Sequence, residues 1–219
     1  MSEPLILDPP ARLAPQRAAL LIIDMQKDFC IDGFAASKAG RPLAAAQSIV
    51  PGLQDLLQAA RAAGVLVCHV AFWTLPDHGS DSGPWLAQRR RSTFSGDRIA
   101  IAGTVGAEFI EELRPAPGEL VIRKHRYSAF KGTGLDMLLR ARNIETVVVT
   151  GVSTNVCVES TAREAFENNF YVFVPRDAVA SWDAELHAAT LRNVEARLGL
   201  VTGIADVKEI WNQTAGGPR

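Results

Sequence analysis

Cysteine is scarce and scattered in this chain. Cys30, Cys68 and Cys157 are the three thiols, an odd number at no close spacing. That pattern argues against a disulfide framework or a four-Cys zinc site and fits a reducing, cytoplasmic setting. An excess of charge is missing too: 23 Lys and Arg stand against 24 Asp and Glu, for a net charge of −1. Neither nucleic acid nor a membrane surface is therefore expected as a partner. The nearest approach to a basic cluster, Arg89, Arg90 and Arg91 with Arg98 close by, is read as a solvated or intersubunit surface. Long apolar runs are absent. The longest early one, Ala18 to Ile23, is far too short to span a bilayer. No basic stretch followed by a long apolar core opens the chain, so no signal peptide is expected. Internal repeats, low-complexity tracts and obvious linkers are also lacking, and 219 residues read most simply as one domain, 1–219.

What the chain does have is alternation of short apolar runs with helix-period segments. Strands are expected at Ala19–Asp24, Val65–Val70, Leu120–Arg123, Thr146–Thr150, Tyr171–Val174 and Gly199–Val201. Each is continuously apolar, the pattern of strands buried on both faces of a parallel sheet. Helices are expected at about Ala44–Ala63, Gly106–Leu113, Thr133–Arg142, Asn155–Asn168, Asp183–Leu198 and Ile204–Trp211. Gly64 reads as a helix stop and Asp183 as a helix start. The β-α-β-α order predicts an α/β fold: a doubly wound, three-layer α/β/α sandwich around a mostly parallel sheet of six strands. The one long irregular stretch, Trp73 to Gly103, is read as a lid or a subunit contact.

Three chemically active groups fall where strands end. Cys157 follows the strand Thr146–Thr150 and the turn at Gly151, whose lack of a side chain allows backbone geometry closed to other residues. In the first turn of the next helix the thiol would feel that helix's positive end, which favours thiolate. Asp24 ends the first strand and Lys124 follows the third. Taken singly, Asp24 could cap a turn, Lys124 could lie on the surface, and Cys157 could be an inert core thiol. Together they emerge at the carboxyl edge of one sheet, where ligands of open α/β sheets bind. An ammonium favours thiolate, and a carboxylate can take the thiol proton and return it to a leaving group. Asp28 reads as local and structural.

Three segments then carry a resemblance. Leu21-Ile22-Ile23-Asp24-Met25-Gln26-Lys27-Asp28-Phe29, Lys124-His125-Arg126-Tyr127-Ser128-Ala129-Phe130 and Gly151-Val152-Ser153-Thr154-Asn155-Val156-Cys157-Val158, in this order, resemble the cysteine hydrolases of the isochorismatase-like superfamily over about Ala18 to Val207. The resemblance implies a catalytic Asp24–Lys124–Cys157 triad. It also implies a cis peptide before Ser153 and an oxyanion hole from the backbone amides of Ser153 and Cys157. No cofactor is implied. A homodimer or homotetramer is. The segment Gly151 to Arg163 looks most like the ureide hydrolases: ureidoacrylate, biuret and triuret hydrolases and N-carbamoylsarcosine amidase. The implied activity is cleavage of a linear C–N bond in a small amide or ureide, through a thioester, with release of ammonia.

Phe29, Trp73, Tyr127 and Phe130 are the aromatic candidates for the substrate pocket, with core packing or an interface as the alternative. Residues that discriminate between substrates are expected in the Trp73–Gly103 loop and near Trp182–His187. Arg126 would face a carboxylate or a partner subunit. The zinc-binding nicotinamidase branch carries an Asp-x-His pair. The matching stretch His69 to His78 lacks it, so no metal is expected; His69 reads as a strand histidine, and His125 and His187 have no evident ligand partners. The alternatives are a nicotinamidase-like amidase, an isochorismatase-type vinyl-ether hydrolase, which needs no thiol, and a non-catalytic homologue.

Overall fold

The computed structural model describes residues 8–91 and 98–215. Among the described residues seven parallel strands form one sheet: β1 (Ala18–Ile23), β2 (Leu66–Phe72), β3 (Leu120–Lys124), β4 (Thr146–Val152), β5 (Tyr171–Pro175), β6 (Val179–Ala180) and β7 (Leu200–Thr202). Their order is β3-β2-β1-β4-β5-β7, with the two-residue β6 pairing the end of β4. All six expected strands are present. The seventh, β6, was not expected: a two-residue strand offers no periodicity to read, and it exists because Gly151 and Val152 extend β4 beyond the reach of β5.

Burial follows position in the sheet. The central strands β1 and β4 are buried along their whole length, because helices cover both faces. Leu20 and Ile22 pack toward one layer, with Leu53, Leu56, Val207 and Trp211. Ala19, Leu21 and Ile23 pack toward the other, with Leu135, Leu139, Val158 and Ala162. The edge strand β3 departs from the expected continuous burial. It alternates, with Val121 and Arg123 outward and Ile122 and Lys124 inward.

The helices correct several expected boundaries. The stretch 44–63 is two helices, Ala44–Ser48 and Val50–Ala63. Pro51 lacks an N–H and crowds the residue before it, so it starts a helix more readily than it continues one. Gly64 ends the second at φ +74, as expected of a left-handed stop. The segment Gly106–Leu113 is not a helix. It holds two short 3-10 turns, Val105–Ala107 and Glu111–Leu113. Its backbone bonds go instead to the segment after β1: Lys27 N–H donates to Glu108 O and Ile110 N–H to Met25 O. Asp183 caps the helix Ala184–Asn193 by accepting from the Leu186 N–H. The Trp73–Gly103 stretch is less irregular than expected, since Gly83–Arg91 is a helix; residues 92–97 lie outside the described residues. Among the described residues no helix is long and apolar enough to cross a membrane.

Candidate active site

The chain runs from β1 outward to β2 and β3, then returns to lay β4 on the other side of β1. The point where strand order reverses, between the carboxyl ends of β1 and β4, is where open α/β sheets leave a crevice. Asp24 follows β1 directly. Its N–H still bonds Val70 O, but its φ of +53 turns the chain out of the strand, a region Asp tolerates better than most residues. Gln26 fastens the turn to β2: its Nε2 donates to Phe72 O and Ala107 O, and its Oε1 accepts from the Phe72 N–H. Asp28 has the structural role expected of it, accepting from the backbone N–H groups of Ala35 and Ala100.

On the facing side, Gly151 has φ +100, and a Cβ there would stand 2.1 Å from Ile23 O. Only glycine lets β4 approach β1 this closely. The peptide Val152–Ser153 is cis, as the resemblance implied. Cys157 lies in a single π-helical turn, Thr154–Val158, ahead of the helix Glu159–Glu167. The Thr161 hydroxyl donates to Cys157 O and accepts from the Ala129 N–H, tying this turn to the segment after β3.

Lys124 joins the two sides. It is wholly buried, and its Nζ donates to Asp24 Oδ2 at 2.8 Å, to Cys157 Sγ at 3.3 Å and to Arg126 O at 3.3 Å. All three ammonium hydrogens are thus used. Although β2 separates β3 from β1, Lys124 pairs with Phe72, beyond the end of β1, and its four-carbon stem carries Nζ inward over the Phe72 ring, 4.8 Å from the centroid. Burial raises the Asp24 carboxyl above its ordinary value, against the pull of Lys124. Burial works against the Lys124 ammonium, yet Asp24 and Cys157 hold it up. Burial, with Asp24 adding to it, pushes the Cys157 thiol up. This direction runs against the thiolate expected from the position of Cys157 at the start of a helix. A dry site and a carboxylate that shares the ammonium both oppose ionisation of the sulfur, while Lys124 favours it. Cys30 and Cys68, pushed by burial to about 12, are inert core thiols.

A cavity of about 320 Å³ opens onto Asp24, Ser153 and Cys157. Rings wall it in a continuous series: Trp182, Phe29, Phe72, Trp85 and Tyr127, with neighbouring centroids 4.5–6.4 Å apart. Phe29 and Tyr127 therefore stand where they were expected. Trp73 and Phe130 do not line the cavity. Trp73 lies under the Arg123 guanidinium and accepts a bond from His125 at its carbonyl. Phe130 is buried in the core beside Phe170. Strand alternation and the turn after β3 aim these two rings away. Arg126 donates to Ser80 O and His125 O and lies over Trp85.

Several lining residues were missed, among them Trp85, Trp182, Arg41, Arg89 and Asn155. Trp85 and Arg89 fall in the 73–103 stretch and Trp182 in the second region expected to discriminate substrates, so the regions were legible and the side chains were not. Arg89, expected on a solvated or intersubunit surface, is buried within the chain; Arg90, Arg91 and Arg98 are exposed. His69 sits in β2 against Glu119 at 2.9 Å, and His187 contacts the Thr154 hydroxyl. Among the described residues no three His, Cys, Asp or Glu side chains are placed to share a metal ion.

A thiol, an ammonium and a carboxylate in mutual contact at the switch point of a parallel sheet define a hydrolase-type site. The chain matches the Isochorismatase domain over residues 18–206 and belongs to that family, as a hydrolase. Ureidoacrylate amidohydrolase RutB of Agrobacterium fabrum (strain C58 / ATCC 33970) is 33% identical over 217 residues, covering 94% of this chain and 95% of its own. A crystal structure of a cysteine hydrolase from Pseudomonas syringae pv. phaseolicola 1448A superposes with a TM-score of 0.82 at 30% identity, covering 98% of this chain and 100% of that one. N-carbamoylsarcosine amidase from Thermoplasma acidophilum gives a TM-score of 0.69 at 30% identity, covering 86% and 96%.

Proposed function

We propose that the protein is a cysteine amidohydrolase that cleaves a linear C–N bond of a small ureide or amide and releases ammonia. The observation that carries this is the buried Lys124 Nζ held between Asp24 Oδ2 and Cys157 Sγ, the two residues of the trio that line the cavity. The relatives named as amidohydrolase and amidase support it.

In this scheme Asp24 takes the Cys157 proton as sulfur bonds to the substrate carbonyl carbon. The carbonyl π electrons move to oxygen, which the backbone N–H groups of Ser153 and Cys157 receive. The tetrahedral adduct collapses, the C–N bond breaks, and Asp24 delivers its proton to the departing nitrogen. A thioester remains. Water, losing a proton to Asp24, attacks it; the C–S bond breaks and sulfur recovers the proton. Lys124 keeps its proton throughout and balances whichever partner is negative. Because a proton moving from sulfur to carboxylate leaves the net charge of the trio unchanged, this transfer is cheap even in a dry site. The apparent pKa values of the site belong to the coupled set.

An ammonia-release screen over ureides, N-carbamoyl amino acids and simple amides tests the activity, with mass spectrometry of the trapped adduct locating the acylated residue. Cys157→Ala and Asp24→Asn should each abolish turnover by more than about a thousandfold. Ammonia release that survives Cys157→Ala would refute the thiol as nucleophile, whereas cleavage of a vinyl ether that survives it, without ammonia release from any amide, would point to the chemistry of an isochorismatase. The acid limb of kcat/KM should lie above the ordinary Asp value of 3.8, because burial raises Asp24. The proposal extends to a single catalytic domain working in the cytoplasm as a homodimer or homotetramer; light scattering on the purified protein reads the oligomeric state directly.

A further inference from the structure

The turn that carries Cys157 is held from behind. It is a single π turn, Thr154–Val158, in which the Val156 and Val158 N–H groups both donate to Ser153 O, at 3.0 and 3.2 Å. Such turns are rare and occur mostly at functional sites. Ser153, Asn155, Val156 and Cys157 line the cavity, but Thr154 does not. Thr154 is wholly buried, and its hydroxyl meets His187 Nδ1 at 2.9 Å. His187 is half-buried and also stays out of the cavity lining. It stands on the helix Ala184–Asn193, whose start is fixed by the Asp183 cap. On the same face of that helix, three residues on, the Thr190 hydroxyl donates to Glu159 Oε2 at 2.6 Å. The helix therefore grips the nucleophile's segment at two points, one in the π turn and one in the helix Glu159–Glu167 that follows it. A neutral imidazole has one acceptor nitrogen, whereas a protonated one has none. Burial lowers His187 below its ordinary value, which keeps the ring neutral.

We propose that the Thr154 hydroxyl donates to His187 Nδ1, and that this bond sets the Ser153 and Cys157 amides and the Cys157 sulfur in place for attack. Thr154 and His187 are then positioning residues, since neither lines the space where substrate sits. Their part in turnover rests on the amidohydrolase function above; the bond and its hold on the turn do not. Thr154 follows Ser153 directly and opens the turn that contains Cys157. A side chain free to swing there would let both amides drift from the place the oxyanion takes, and donors aimed at developing charge act only within a narrow range of distance. A misplacement of about 1 Å, even by a change outside the reacting groups, can cost about a hundredfold in rate.

The test compares deletion with conservative replacement at each end of the bond. Thr154→Val and His187→Leu delete it. Thr154→Ser keeps the hydroxyl, and His187→Asn sets an acceptor oxygen, Oδ1, where the imidazole has Nδ1. On the best amide from the ammonia-release screen, Thr154→Val and His187→Leu should each lower kcat about tenfold to a hundredfold and leave KM within about threefold. Thr154→Ser and His187→Asn should keep kcat within about threefold of wild type, and the double variant Thr154→Val/His187→Leu should be no slower than the poorer single, because both changes remove one bond. NMR reads the bond without turnover. His187, assigned by the loss of its signals in His187→Asn, should be neutral with its proton on Nε2. The backbone amide resonances of Ser153 and Cys157 should move in His187→Leu and hold in His187→Asn. A proton on Nδ1, amides unmoved in His187→Leu, a loss carried by KM alone, or an Asn variant no better than the Leu variant overturns the proposal. The His187 pair decides, since Thr154 is wholly buried and its Val variant could fold poorly. The expected NMR pattern with ammonia released from no amide would leave the hold on the turn standing and refute the amidohydrolase function.

Discussion

Replacing Lys124 by methionine keeps the stem and removes the charge, and the structure sets the cost. Nζ is wholly buried and occupied by Asp24, Cys157 and Arg126 O. Without it Asp24 is a buried carboxylate whose Oδ1 already lacks a hydrogen-bond partner. Removing one member of a buried ion pair costs about 3–5 kcal/mol, a large share of the ~5–15 kcal/mol that holds a typical domain together. The sign of the pH dependence follows from Asp24. Burial already raises its folded pKa, and loss of the ammonium raises it further. A carboxyl raised in the folded state favours folding at pH values below its unfolded pKa, and that advantage is lost as pH rises through the folded pKa. The deficit of Lys124→Met against wild type is therefore greatest at pH 8 and shrinks toward pH 5. Adding Asp24→Asn removes the stranded charge and should recover most of the loss. Urea unfolding of the wild type, both single variants and the double variant at pH 5 and 8 measures all of this. A deficit under about 1 kcal/mol at pH 8, or one that grows on acidification, would refute the buried-pair argument.

Other perturbations read different parts of the structure. Gly151→Ala should cost about 3 kcal/mol or more, or prevent folding, since its Cβ would press on Ile23 O at a positive φ; a melting temperature within a few degrees of wild type would contradict the close approach of β1 and β4. Phe130→Ala should lose about 3–5 kcal/mol of stability by urea unfolding with KM little changed, because its ring is core, whereas Trp182→Ala should raise KM with a smaller stability loss. Despite the cost of burial, bonds from Arg61, the Ala116 N–H and His69 hold Glu119 down at about 2. The stability this contributes is present above the ordinary Glu value of 4.5 and disappears as pH falls through about 2. Thermal melts of Glu119→Gln should show a flatter acid limb than wild type over that window.

The strands were legible because a strand covered on both faces leaves a continuous apolar run in the sequence, and β1 and β4 are buried throughout. The catalytic candidates were legible for a related reason: Asp24, Lys124 and Cys157 interrupt or follow those runs, and chain order alone places them at one edge. The 106–113 segment was misread because its helical pattern was overridden by backbone bonds to Met25 and Lys27, partners remote in the chain. Among the aromatic residues, type and position could not separate Phe29, which walls the cavity, from Phe130, which fills the core beside Phe170. Arg89 shows the same limit. Within Arg89-Arg90-Arg91 a rotation of about 100° per residue around the helix is all that separates the buried guanidinium from its exposed neighbours.

By itself, then, the order of residues determined the parallel α/β architecture and which three groups could meet, since both depend on local periodicity and on where strands stop. Tertiary structure alone decided that burial opposes ionisation of the thiol and that the walls include Trp85, Trp182, Arg41 and Arg89. Desolvation and side-chain direction arise only when segments far apart in the chain close around one space.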